Sequence, residues 1–147
     1  PKPVFPQAWA HIRIANPDAP DNLHAMPLTI EGQERLVTPV LVAARTELRA
    51  GETFFDVMQA RLLEIAPDPS AGVSRAVLHD EQPHWFAVNG AHDYLRRLGG
   101  NTGYVIHCEE TLADNIAMLV TKAQVRNPAL LARLLRLLME WKPGLQT

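Results

Sequence analysis

A histidine and several acidic residues stand together at the start of one predicted helix. The run from His107 to Asn115 reads His-Cys-Glu-Glu-Thr-Leu-Ala-Asp-Asn, and the apolar spacing after it predicts a helix over 108–123. At about 100° per residue, Glu110 and Asp114 project side by side one turn apart, with His107 on the same edge. An acid four residues before a second acid, beside a buried stripe, is how some zinc enzymes present a glutamate ligand.

The remainder of this helix is apolar along one broad arc. The periodicity predicts that this arc is buried, and it contains Leu112, Ala113, Ile116, Ala117, Leu119 and Val120. The acidic pair would then lie at the margin of a core-facing surface.

The stretch from Asn101 to Asn115 resembles the C-terminal signature of bacterial zincin-type metallopeptidases of the gluzincin kind. In that family, a histidine-glutamate helix supplies two histidine ligands and the general base, and a later Glu-x-x-x-Asp helix supplies the third ligand. The resemblance implies that Glu110 is a zinc ligand and Asp114 its supporting partner, with His107 as a second candidate ligand. It also implies zinc as the cofactor and a peptide or protein as the substrate.

One part of the family pattern is missing from this sequence. The chain contains no His-Glu-x-x-His, and none of its six histidines is separated from another by four positions. Because catalytic zinc usually takes three protein ligands and a water molecule, we expect an incomplete or inactive peptidase site in the isolated chain. The chain begins with Pro1, so we expect that the missing helix either precedes it in a longer precursor or has been lost.

Other side chains carry both a structural and a chemical interpretation. Glu109 lies in the first turn of the helix, where it can cap backbone N–H groups or take part in chemistry. His79 and His84 bracket a turn, either as solvent-exposed histidines or as metal ligands. Cys108 is followed by two acids, which favours a small buried or half-buried thiol over a nucleophile.

Composition limits the class of protein. The chain has 147 residues, 47% hydrophobic content, a net charge of −2 and one cysteine. These values predict one folded, soluble domain without an internal disulfide, and they give no reason to expect a nucleic-acid partner. No targeting segment is visible and no apolar run is long enough to span a membrane. The sequence leaves the oligomeric state open.

The order of the elements predicts an α+β fold. Residues 1–27 hold half of the twelve prolines, which indicates a Pro-rich extended arm, and 28–147 form the predicted α+β domain. A hairpin is expected from Leu28–Ile30 and Arg35–Ala44, with Pro39 marking an edge strand or a bulge. Residues 53–66 suit either a helix or a strand. Strands over 61–65 and 73–79, and a third near 84–88, would complete a meander.

Three helices follow the predicted strands. The first begins near Asn89 and ends at Gly99-Gly100, the second is the helix over 108–123, and the third begins at Asn127-Pro128. The third places its apolar residues in one arc, so we expect Leu134 and Trp141 to be largely buried unless a partner covers them. The last two helices should pack their apolar arcs against the sheet or against each other.

Two functions are compatible with these patterns. The first is a metallopeptidase-like domain that carries the Glu-x-x-x-Asp ligand helix. The alternative is a non-catalytic α+β module that binds a partner through its Pro-rich arm and its leucine-rich terminal helix.

Overall fold

The computed structural model describes residues 2–15 and 24–141. The strands are β1 (Lys2–Val4), β2 (Met26–Ile30), β3 (Gln33–Ala43), β4 (Met58–Asp68), β5 (Val73–Ala76), β6 (Leu78–His79), β7 (Gln82–Pro83) and β8 (Trp85–Ala87). The α-helices are α1 (Phe54–Val57), α2 (His92–Leu98), α3 (Cys108–Thr121) and α4 (Pro128–Glu140). Strands come first and the three longer helices last, which confirms the predicted α+β class.

The main sheet is built around the long strand β4. Its order is β1-β5-β4-β3-β2, and β8 also pairs with β4. Strand β3 runs antiparallel along one side of β4. On the other side of β4, β8 pairs with Arg61–Leu63 and β5 pairs with Ile65–Asp68. Strands β6 and β7 form a separate short hairpin. The three predicted strands are present as β4, β5 and β8, but β8 pairs with β4 and not with β5, so the third strand does not complete the predicted meander.

Apolar side chains fill both faces of the sheet because successive residues of a strand point to opposite sides. On one face, Leu28, Val37 and Leu62 are fully buried and pack with Tyr94 of α2. On the other face, Val40 and Leu63 pack against the N-terminal segment and Trp85. Helix α2 thus covers one face, and the residues that precede β2 cover part of the other.

The first hairpin follows from its turn residues. Glu31 and Gly32 both have positive φ, at 52° and 76°, as a tight two-residue hairpin turn requires. The prediction that Pro39 marks an edge strand or a bulge is wrong, because β3 lies between β2 and β4. Strand β2 pairs with β3 only as far as Val37. The proline therefore lies beyond the end of that ladder, where it removes no hydrogen bond to β2.

The ambiguous segment 53–66 contains both of the structures considered for it. Thr53 and Asp56 form a capping box that starts the single turn of α1. The chain then continues as β4, whose segment Leu62–Ile65 is buried on both faces.

Local signals set the bounds of the helices. Helix α2 ends at Gly99, which has φ 80° and whose missing Cβ leaves room for Leu130 of α4. The side chain of Asn127 accepts a hydrogen bond from the backbone N–H of Leu130, and Pro128 occupies the first turn of α4.

The predicted buried arc of α3 is wrong. Leu112 is 47% exposed and Val120 75% exposed, whereas Thr111 and Asn115 are buried. The loop before α3 explains this rotation, because its polar groups need hydrogen-bond partners. Thr111 donates to the backbone oxygens of Tyr104 and His107, and Asn115 accepts from the side chain of Asn101.

The expected burial along α4 is also wrong. Leu131 is buried and Leu134 is half-buried, but Leu137 is 55% exposed and Trp141 70% exposed. Helix α4 packs against α3, and residues 135–141 at its C-terminal end are exposed. Helix–helix packing is thus confirmed only for the first half of the arc.

The Pro-rich segment takes part in the fold where it is described. Lys2–Val4 pairs in parallel with Val73–Arg75 of β5. A 3₁₀ helix follows at Gln7–Ile12, and Trp9 packs edge-on against Trp85. Residues 16–23 of the predicted arm lie outside the described residues.

Candidate metal centre

Three side chains of different chemistry meet at the N-terminus of α3. His24, Cys108 and Glu109 each offer one donor atom, and the three atoms lie within 4.8 Å of one another. Nε2 of His24 donates to Oε1 of Glu109 at 2.8 Å, and Sγ of Cys108 donates to Oε2 of Glu109 at 3.3 Å. Among residues 2–15 and 24–141, this is the one group of three or more such side chains that could hold a metal ion.

The fold brings these donors together from distant parts of the sequence. Cys108 and Glu109 open α3, and His24 lies just before β2, 85 positions from Glu109. His24 and Glu109 are partly open to solvent, with side chains 54% and 47% exposed. Cys108 is half-buried, as the sequence predicts. The cluster is therefore accessible while one donor remains anchored in the protein.

The surroundings of Cys108 and Glu109 shift the pKa of both groups. Burial, together with the hydrogen bond and the negative charge of Glu109, raises the pKa of the Cys108 thiol to about 12. Burial also raises the pKa of Glu109, but its own backbone N–H, His24 and Cys108 outweigh this and hold that pKa below its ordinary value. At neutral pH, Cys108 is thus a protonated donor to a carboxylate, and a metal cation would replace that proton.

Two of the residues assigned through the family resemblance, His107 and Glu110, flank Cys108 and Glu109 in the sequence and lie near each other. His107 is buried, and a 2.7 Å hydrogen bond joins its Nδ1 to the hydroxyl of Tyr104. Oε2 of Glu110 lies 3.7 Å from the same Nδ1. His107 and Glu110 are therefore neighbours, and Glu110 is not among the three donors that lie within 4.8 Å of one another.

Asp114 does not join this pair in the described contacts. It is exposed, and its Oδ2 accepts a hydrogen bond from the hydroxyl of Thr102. The role that the resemblance implies for Asp114, orienting Glu110, remains a prediction.

His79 and His84 belong to a third group, on the sheet. Their rings stack with centroids 4.1 Å apart, and Nδ1 of His84 contacts the carboxylate of Glu64. Arg35 donates to both oxygens of Glu64, at 2.9 and 3.0 Å. His79 is exposed, as the sequence predicts. His84 is less exposed than a turn histidine would be, because its ring contacts the carboxylate of Glu64 on the sheet.

Sequence reasoning missed His24, because no spacing pattern relates it to α3, the helix whose residue Glu109 it contacts.

Sequence reasoning also missed a network of asparagine side chains that connects α3, the loop before it and the start of α4. Asn101 donates to the side chain of Asn115 and to the backbone oxygen of Asn127, and it accepts from the backbone N–H of Asn127 at 2.7 Å. The Asn-Pro helix start was a visible signal for Asn127, but nothing local points to Asn101.

Comparisons with known proteins add no family to these observations: no family model, curated protein or solved structure matches this chain. Within the described residues, every helix is too short or too polar to cross a membrane.

Proposed function

We propose that this chain is a zinc-binding α+β domain in which His24, Cys108 and Glu109 are the protein ligands. The observation that carries this proposal is the meeting of one nitrogen, one sulfur and one oxygen donor within 4.8 Å. All three are common zinc ligands.

The spacing of the donors suits a single ion. Zinc bonds of about 2.0–2.3 Å in a tetrahedron place neighbouring donors about 3.3–3.8 Å apart. The donor pairs at 2.8 and 3.3 Å would separate by at most about one ångström to reach that range. Because His24 and Glu109 are partly exposed, their side chains can make this adjustment without disturbing the core.

Three protein ligands leave the fourth zinc position open. Such an ion polarises a bound water molecule or a carbonyl oxygen, which is the chemistry of the metallopeptidases that the sequence resembles. We retain the metallopeptidase-like assignment as part of this proposal. His107 and Glu110 are then its alternative ligand pair, since they lie at the start of the same helix.

Metal titration of the purified metal-free protein tests the proposal. We expect one Zn²⁺ per chain by isothermal titration calorimetry, and Cys108→Ser and His24→Ala should each weaken binding at least tenfold, the size expected for the loss of one direct ligand. Co²⁺ used as a second probe should show a thiolate charge-transfer band that Cys108→Ser removes. His79→Ala is the matched control, because it removes an exposed histidine outside the cluster and should leave Zn²⁺ affinity unchanged.

Two results would overturn this assignment. Zinc retained in Cys108→Ser but lost in Glu110→Gln would move the site to the pair implied by the family resemblance. Absence of stoichiometric zinc from the wild-type chain would remove zinc binding as its function.

A second candidate function is partner binding through the terminal helix. Lys2–Val4 of the arm is paired in the sheet, whereas Leu137 and Trp141, one turn apart at the end of α4, are more than half exposed. Exposed apolar surface of this kind is typical of interaction sites. Sedimentation of wild type and Leu137→Lys tests self-association: a wild-type dimer that the lysine abolishes would support this function, and two identical monomers would exclude pairing of this helix with a second copy.

A further inference from the structure

A cleft lies directly beside the proposed zinc ligands. It has a volume of about 180 Å³ and is formed by α2, α3 and α4. Its apolar walls are the side chains of Leu98, Leu112, Leu130 and Leu134, and Cys108 belongs both to this lining and to the metal cluster. The cleft and the metal cluster therefore share Cys108.

The walls leave apolar surface exposed to water. Leu112 is 47% exposed, and Leu134 is only half-buried although it lies on the packed side of α4. The rotation of α3 that buries Thr111 and Asn115 is what turns Leu112 outward. An apolar ligand group placed here would remove this surface from water, which is favourable.

The polar groups of the lining are already used by the fold. Thr111 donates to the backbone oxygens of His107 and Tyr104, and Asn115 bonds to Asn101 and to the backbone oxygen of Thr111. Arg97, the one charged residue of this lining, pairs with Asp93. The body of a ligand here consequently has to be apolar, and its polar end has to find its partner elsewhere.

We propose that this cleft binds the apolar group of a small carboxylate whose head completes the coordination of the zinc ion. The inference rests on the proposed zinc site, since a carboxylate oxygen is a good zinc ligand and three protein ligands leave one position for it. A volume of about 180 Å³ fits a benzene-sized group, because an apolar cavity of about 150 Å³ can hold benzene. The ligand class is thus a short aromatic or branched aliphatic carboxylic acid.

The probe is 3-phenylpropionate, measured by calorimetry against protein whose zinc content has been determined first. We expect binding to the zinc-loaded chain, and at least tenfold weaker binding to the zinc-free chain. The affinity of the matched alcohol, 3-phenylpropanol, should not depend on zinc because this molecule offers no carboxylate.

A pair of variants on α3 isolates the cleft from the metal. Leu112→Trp should fill the cleft and weaken 3-phenylpropionate binding at least tenfold, with Zn²⁺ affinity unchanged. Val120→Trp adds the same side chain at a 75% exposed position outside the cleft, and should change neither affinity.

The outcomes separate this inference from the zinc proposal. Normal zinc binding together with unchanged probe affinity in Leu112→Trp would overturn the cleft assignment and leave the zinc site standing. Equal probe affinity with and without zinc would overturn the link between them. Absence of zinc binding in the first titration would overturn both.

Discussion

The sheet and the terminal helices each hold a contact between a histidine and a glutamate, and the two contacts have opposite surroundings. Glu64 is 9% exposed and is held by Arg35 as well as His84. Glu109 is about half exposed and is held by His24 and the thiol of Cys108. A guanidinium neutralises the first carboxylate inside the fold, whereas the neighbours of the second are the other two donors of the proposed zinc site. The third partner therefore distinguishes a structural contact from a candidate site.

The packing around the pair His84–Glu64 is also tighter than the packing of the helices that carry Glu109. Beside Glu64 lie residues with almost no exposure, such as Leu62 and Leu63. In the helical part, α3 and α4 leave large apolar side chains partly open to solvent, including Leu112 and Leu137. We infer that the sheet provides most of the stability of the domain and that the helical part carries its binding surfaces.

Removing Glu64 should have the largest effect on stability. Glu64→Ala leaves Arg35 and His84 without their shared carboxylate in a nearly buried position, so we expect a loss of about 3–5 kcal/mol in the free energy of unfolding. Urea denaturation measures this loss. Glu109→Ala is the matched control and should change stability little in metal-free protein, so equal losses in both variants would contradict the contrast drawn between the two pairs.

Alanine substitutions along α4 should destabilise the protein in the packed first half of the helix and have little effect in its exposed second half. Leu131→Ala removes a buried side chain that is 8% exposed, and we expect a loss of about 2–5 kcal/mol. Leu137→Ala, on the same helix but 55% exposed, should stay within about 0.5 kcal/mol of wild type. Thermal or urea unfolding of a monomeric sample compares them. A large loss at Leu137 would mean that its surface is covered in solution.

Features encoded within a few residues were predictable from the sequence. The hairpin at Glu31-Gly32, the end of α2 at Gly99 and the start of α4 at Asn127-Pro128 all follow from local backbone chemistry. The orientation of α3 was not predictable, because it depends on Asn101, whose partners lie 14 and 26 positions away. Apolar periodicity identified the helix but not the face that the polar loop requires.

The candidate metal site likewise contains residues that were predictable from the sequence and one that was not. Cys108, Glu109 and Glu110 were visible as a cluster because they are adjacent in sequence. His24 was not, since 85 positions separate it from Glu109 and no pattern relates the two. In the same way, His84 reads as a turn histidine until the fold places Glu64 beside it, 20 positions away.

Acid should weaken the Glu64 contact, and this is the smallest of the expected effects. Burial raises the pKa of Glu64, but its hydrogen bonds and charge interactions with Arg35 and His84 outweigh burial and hold that pKa below its ordinary value of 4.5. A carboxyl group whose pKa is lower in the folded state stabilises the protein above its unfolded pKa, and this contribution is lost as the pH falls through the folded pKa. The stabilisation should thus be complete at neutral pH and decline below about pH 4.5.

Other carboxylates have the same sign, so a difference measurement is needed to isolate Glu64. Hydrogen bonds from Arg75 and Arg97 lower the pKa of Asp68 and of Asp93 to about 2, and both carboxylates remain in Glu64→Gln. Their acid dependence therefore cancels between wild type and that variant. We expect the gap between the two unfolding free energies, measured by urea denaturation, to narrow between pH 5 and pH 3. A gap that stays constant over that range would show that the carboxylate charge of Glu64 adds nothing beyond hydrogen bonding, and would remove the electrostatic basis of its contrast with Glu109.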